Sequence, residues 1–351
     1  MNLRASVLFI LTSTICALTS GTPAAAAETF AGCSVKPSSA LVVNVKDRGA
    51  EGDGKTDDTT KIQRAIDEVA GTGGTVYLPD GVYMVRTIGK RRLQLGSNMT
   101  LKLAEGAVLK AIPNDARGYS VLRLINVTDV AIVGGTLQGD RSEHKGKSGE
   151  WGMGIRIDKG TKRVAIVGVT AKDMWGDGFF VKGGSDVALC NVAALHNRRQ
   201  GLSIIDVQRL LVTGSLFKDT RGTRPSAGID IEPDKPEQKA ANVRIENSKF
   251  VNNAGGGIMI AGKRGTVANV EIIRNVFEEG RPILVENAPA VQSTSICDNR
   301  SIGQHAPPPE GLNAYADAVE VVSLQDDCRS GRDLRFEVKR QTKKKKPQNP
   351  N

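Results

Sequence analysis

From Trp151 onward the chain repeats one pattern. A glycine opens a short run in which apolar residues alternate with others: Gly154-Ile155-Arg156-Ile157, Gly178-Phe179-Phe180-Val181, Gly201-Leu202-Ser203-Ile204, Gly228-Ile229-Asp230-Ile231 and Gly257-Ile258-Met259-Ile260. These glycines are 24, 23, 27 and 29 residues apart. A second apolar segment follows each run: Val164 to Gly168, Val187 to Asn191, Leu210 to Gly214, Val243 to Asn247 and Val270 to Arg274. The first four end in Gly or Asn, residues that tolerate a left-handed backbone at a sharp corner. Two short strands and a corner cannot bury an apolar face alone, so the unit must stack on copies of itself. No stretch of 3.6-residue period separates the strands, which excludes an alternating doubly wound sheet. The pattern predicts an all-β fold, a parallel β-helix with one coil per repeat and coils ~4.8 Å apart. Aromatic residues make up only 4% of the chain, in keeping with aliphatic ladders.

The N-terminal part poses a different question. Gly49 to Thr56, GAEGDGKT, satisfies the phosphate-binding pattern G-x-x-x-x-G-K-[ST], with a strand-like Leu41 to Val45 before it and a helical Thr60 to Val69 after it. Two carboxylates, Asp57 and Asp58, follow directly and would repel a phosphate. Either can cap the helix, whose Ile62, Ala65, Ile66 and Val69 form one apolar stripe. The longer stretch Val43 to Tyr83, VNVKDRGAEGDGKTDDTTKIQRAIDEVAGTGGTVYLPDGVY, resembles the N-terminal signature of the pectate-lyase-like superfamily of right-handed β-helices. That superfamily includes rhamnogalacturonase, polygalacturonase-like and mannuronan C5-epimerase relatives. The resemblance implies a single-stranded right-handed parallel β-helix over residues 41–338. It also implies that the helix caps the open end of the stack and that the GAEGDGKT loop is structural.

Composition places the chain outside the cytoplasm. Residues 1–27 have a basic start at Arg4, an apolar run from Val7 to Leu18 and a small-residue end at Ala25-Ala26-Ala27. This reads as a secretory signal too short to span a membrane, followed by a linker over residues 28–40. The expected location is secreted or periplasmic. Removing the signal takes Cys16 with it and leaves Cys33, Cys190, Cys297 and Cys328, an even set that allows three disulfide connectivities. Cys297 with Cys328 is the expected pair, and Cys190, in an apolar strand, reads as a buried free thiol. The formal charge of +10 is mostly terminal: of 48 basic residues six lie in the tail, residues 339–351, and one, Arg4, in the signal, leaving the body with 41 basic and 38 acidic residues. Sparse aromatics and the lack of a base-reading motif argue against nucleic acid as a partner, and no nucleotide is expected.

Alternation along the strands sends the apolar residues inward and leaves two outward columns. One reads Arg156, Phe180, Ser203, Asp230, Met259; the other reads Asp158, Lys182, Ile205, Glu232, Ala261. Asp230 and Glu232 lie two apart on one strand, with α-carbons about 6 to 7 Å apart. Paired carboxylates are the minimum apparatus of glycoside hydrolysis, so these two are the expected catalytic pair, assisted by Asp177 at a neighbouring corner. Arg199, Lys182 and Arg156 are the expected binders of an anionic substrate, and Trp175 and Phe180 are aromatic surfaces for a sugar ring. His196 reads as a corner residue. Asp230, Glu232 and Asp234 offer oxygen ligands for calcium but lack the EF-hand pattern, and no other cofactor is implied.

The resemblance carries over only in parts. Polygalacturonase-like enzymes have an adjacent Asp-Asp and a His-Gly on successive coils, where this chain has Asp177-Gly178 and Gln200-Gly201. Mannuronan epimerases have Arg-His-Gly where it has Arg199-Gln200-Gly201, so Gln200 replaces the residue that would carry a proton. The expected function is an exported enzyme that cleaves a polysaccharide, its partner a polymer that the basic residues suit if acidic. A uronan lyase or C5-epimerase, and a non-catalytic glycan-binding or adhesion β-helix, are the alternatives.

Overall fold

Apolar residues one coil apart stand directly above one another. Ile155, Phe179, Leu202, Ile229, Ile258 and Ile283 pair in parallel register on successive strands, and all are buried. The computed structural model describes residues 32–89, 92–262, 264–286, 291–303 and 319–320 of the 351.

Each coil contributes to three faces. The first carries strands Gly118–Leu124, the start of Trp151–Val167, Asp177 onward, Gln200 onward, Ile229–Ile231, Ile258–Ala261 and Ile283–Glu286. Long strands such as Trp151–Val167 then turn a corner, with a break in register between Asp158 and Thr161, and continue on the second face. The third face is a separate ten-stranded parallel sheet of short strands, from Asp53–Asp57 to Arg300–Ile302. Inside, the aliphatic ladders adjoin a stack of three rings, Phe217, Phe250 and Phe277, with centroids 5.2 and 4.9 Å apart. The corners after the second strand segments are left-handed at Gly168, Asn191, Gly214, Asn247 and Arg274 alike. Arg274 is held there by bonds to Asn247 and Glu246.

Among the described residues there is one α-helix, Thr59–Val69. Ile62, Ala65, Ile66 and Val69 are buried in the main core, where the helix packs on strands Val42–Asn44 and Thr75–Leu78. Asp58 is the N-cap residue but makes no side-chain capping bond; its carboxylate accepts instead from the amides of Glu51 (2.8 Å) and Gly52 (2.9 Å). Asp53 accepts from the amides of Lys55 (2.9 Å) and Thr56 (2.8 Å). The loop amides that a phosphate-binding loop would point at its anion are thus donated to the chain's own carboxylates.

Cys190 is not a free thiol: it is disulfide-bonded to Cys33, 157 residues away, with α-carbons 5.7 Å apart. Residues 32–39 reach back over the second face, where the outward column Thr100, Ala131, Ala165, Ala188 is small enough to admit them. A cavity of about 670 Å³ lies between this segment and the face, lined by Lys36, Asp129 and Arg163 among others. Cys297, at the end of strand Val291–Cys297, is disulfide-bonded, while Cys328, its expected partner, the signal and the basic tail lie outside the described residues. No described helix is long and apolar enough to cross a membrane.

Candidate active site

The first outward column holds the expected register, Arg156 to Phe180 to Ser203 to Asp230 to Met259. Two further residues join it against the alternation rule. Asp177 and Gln200 precede inward Phe179 and Leu202 by two, so strict alternation would bury them in the core. The glycine column changes the phase. A Cβ on Gly178 would lie 2.8 Å from the Gly201 carbonyl oxygen, and one on Gly201 would lie 2.4 Å from that of Gly228. Only glycine permits this approach, and the residue before it turns to the outer side. There Ser203 Oγ donates to Asp177 Oδ2 (2.9 Å) and Gln200 Nε2 donates to Asp230 Oδ2 (2.7 Å).

The resulting centre is ionic but dry. Arg199 Nη1 lies 3.1 Å from Asp177 Oδ2, and both groups are shielded, with side-chain exposures of 12% and 0%. Burial pushes Asp177 up to about 6, although Arg199 and Ser203 pull the other way. Asp230, only 1% exposed, rises well above the usual carboxylate range, first through burial and then through the charge of Glu232, against the pull of Arg199. A side-chain hydrogen bond to Glu232 adds to the same effect, and Asp230 Oδ1 is buried. Burial disfavours the Arg199 cation, yet Asp177, Asp230, Glu150 and Glu232 together keep it firmly protonated. Glu150 thus belongs to the surroundings of Arg199, and no pattern in the sequence marks it.

Similarity to known proteins follows this architecture. Residues 42–101 match the family described as rhamnogalacturonase A/epimerase, pectate lyase-like, and residues 136–299 match the right-handed β-helix region. The chain is a pectate-lyase-like right-handed β-helix. It is 30% identical over 264 residues to the uncharacterised protein YclG of Bacillus subtilis, covering 63% of this chain and 45% of that protein. It is 35% identical over 156 residues to mannuronan C5-epimerase AlgE4 of Azotobacter vinelandii, covering 39% of this chain and 27% of that protein. The chain therefore spans less than half of either curated relative. The family 28 exopolygalacturonase of Yersinia enterocolitica shares the fold at TM-score 0.59 and 16% identity, over 78% of this chain and 68% of that one.

The remaining expected site residues of this β-helix fare differently. Trp175 is closed on both sides, stacked on His144 with centroids 4.0 Å apart and covered by the Arg198 guanidinium at 3.8 Å. His144 is in turn fixed by Asp140, which also accepts from Tyr119. Trp175 therefore offers no free face to a sugar. Phe180 is only 7% exposed, packed with Met153 and Ile205 beneath the Arg156 guanidinium. Neither ring is the exposed platform that the alternation implied, because side chains of adjoining coils cover the outward face. Arg156 shares Asp158 with Arg123. The second outward column breaks after Asp158 and Lys182: a register shift pairs Lys182 with Asp206, not Ile205. Glu232 nevertheless stays beside the first column, its amide bonded to the Ile204 carbonyl. His196 occupies a left-handed corner, between Asp173 and Asp219. Among the described residues no group of three or more His, Cys, Asp or Glu is arranged to hold a metal ion.

Proposed function

We propose that this chain is an exported enzyme that acts on a polysaccharide and cleaves its glycosidic bonds at the outer face around Asp230. The observation that carries the reading is the pairing of Asp230, buried and inclined to hold its proton, with Glu232 just past the end of its strand. A carboxyl group inclined to hold its proton can act as an acid, and a second carboxyl group beside it can act as a base. Asp230 gives its proton to the bridging oxygen as the glycosidic C–O bond breaks. Glu232 takes a proton from the water whose oxygen forms the new bond to carbon. Asp177 assists by anchoring Arg199, and Arg199 with Lys182 faces the anionic groups of an acidic polymer. The curated relatives support a polysaccharide as substrate, since several are named mannuronan C5-epimerases.

That same name favours a second reading, a uronan lyase or C5-epimerase, in which Arg199 neutralises the sugar carboxylate and a base removes the C5 proton. The test is a screen over pectin, alginate, rhamnogalacturonan and bacterial exopolysaccharides. New reducing ends without absorbance near 235 nm support hydrolysis; growth of that absorbance replaces it with elimination. Asp230→Asn and Glu232→Gln should each lower turnover by ~10² to 10⁴. Binding without turnover, indifferent to both changes, would make the chain a glycan-binding module.

A further inference from the structure

Gln200 is buried, and both ends of its amide are committed. The backbone amide of Ala227 donates to Oε1 at 2.9 Å, and Nε2 donates to Asp230 Oδ2 at 2.7 Å. A main-chain N–H can only donate, so the end it meets must be the carbonyl oxygen and the opposite end must be the NH₂ group. Turning the amide over would set donor against donor at Ala227 and acceptor against acceptor at Asp230. The orientation is therefore imposed by the main chain, whatever the protonation state of the carboxyl group. Asp230 Oδ2, facing an NH₂, has to accept. A proton on Asp230 is left only Oδ1, a buried oxygen, and the other side chain hydrogen-bonded to this carboxyl group is that of Glu232.

We propose that Gln200 is a positioning residue that fixes which oxygen of Asp230 carries the exchangeable proton, holding Oδ2 as a permanent acceptor and leaving the proton to Oδ1. This rests on Asp230 being the proton donor of the polysaccharide site. The charged groups facing Asp230 are Glu232, just past the end of its own strand, and Arg199 and Asp177 from the preceding coils; its strand neighbours Ser203 and Met259 carry no charge. Unlike a histidine, Gln200 has no proton to trade and cannot take up the one on Asp230. The amide stabilises the ionised carboxyl more than the neutral one, because a hydrogen bond to a charged acceptor is the stronger. Gln200 thus moderates the effect of burial and keeps Asp230 able to release its proton.

The experiment titrates the carboxyl carbon of Asp230 in the full chain labelled with [4-¹³C]aspartate, its resonance identified as the one missing from Asp230→Asn. Gln200→Met keeps the length and removes the donor, and should raise the Asp230 midpoint by about one pH unit. Gln200→Glu removes the same donor, retains an acceptor for Ala227 and should also raise it, so one failed fold does not remove the test. A midpoint unmoved or lowered in the folded variants overturns the proposal. On a polymer that the wild type turns over, the alkaline limb of the pH–rate profile should move up with the same step. A residue that only packs would lower kcat at every pH and leave the limb in place, which also counts against it. Normal turnover in Asp230→Asn would sink the assignment of Asp230 as acid while leaving the titration to decide what Gln200 does to it.

Discussion

Asp177 gives the sharpest quantitative consequence of burying carboxyl groups on the outer face. It is fully buried and pushed up from 3.8 to about 6 by that burial, despite Arg199 at 3.1 Å. Between those pH values the folded chain keeps a proton that the unfolded chain has released. Stability therefore falls as pH rises through this window, the reverse of an ordinary salt-bridged aspartate. A shift of about 2 pH units corresponds to about 3 kcal/mol, present as a penalty at pH 7 and absent below about pH 4. Asp177→Asn cannot ionise and should lose that slope. Its unfolding free energy relative to wild type should climb by about 3 kcal/mol from pH 4 to pH 7, whatever constant offset the lost Arg199 contact introduces. Asp230 contributes with the same sign in both proteins but less in the variant, because the charge of Asp177 is one of the causes that raise it, so the remainder adds to the climb. Urea unfolding at pH 4, 5, 6 and 7 measures this, followed by the fluorescence of the only two tryptophans, Trp151 and Trp175, and by circular dichroism. Only pH values at which both probes give one coincident transition enter the comparison, since solenoids can unfold in parts. Parallel curves for the two proteins would refute the reasoning, and a difference of opposite sign would mean that Arg199 and Ser203 outweigh burial.

Two further tests address the scaffold. Ile229→Ala removes a fully buried rung of the first inward ladder and should cost roughly 2 to 5 kcal/mol; an unchanged melting temperature would show that the strand phase is wrong. Cys190→Ser opens the 157-residue loop closed through Cys33, for which loop-closure entropy gives about 5 kcal/mol, so oxidised wild type should outlast both this variant and reduced protein in urea, and equal midpoints would refute it.

The phase of the strands was legible because Ile, Val and Leu recur at every second position of each run and can only face the core. The column from Arg156 to Met259 follows from that phase and holds in register. What alternation could not carry is irregularity. The column beside it slips by one at Asp206, because a register break follows Val181 and periodicity cannot record a missing step. The corner at Arg274 is left-handed like its Gly and Asn counterparts, but its tolerance comes from partners on other coils, not from its residue type. Cys190 read as an isolated thiol because its partner lies in the N-terminal segment, whose path over the second face depends on four small outward residues from different coils.

The site was legible as a list and illegible as an environment. Asp230, Glu232, Asp177 and Arg199 are gathered on one face as the spacing implied, but outward does not mean wet. Arg141 ties the stretch that follows Asp140 to the main-chain carbonyls of His196 and Arg221, one contact among many that fold connecting segments against the outer face. Burial inclines Asp230 to keep its proton, whereas the same aspartate on a strand facing solvent would be an ordinary carboxylate. The same cover closes Trp175 between His144 and Arg198, turning an expected sugar platform into a wall. Gln200 makes the point from the other side. A comparison by residue type reads it as a missing histidine, yet its fixed amide between Ala227 and Asp230 constrains a proton that it cannot itself carry. Chemistry at this face therefore depends less on which titratable residues the repeat presents than on which of their oxygens the surrounding main chain leaves unpaired.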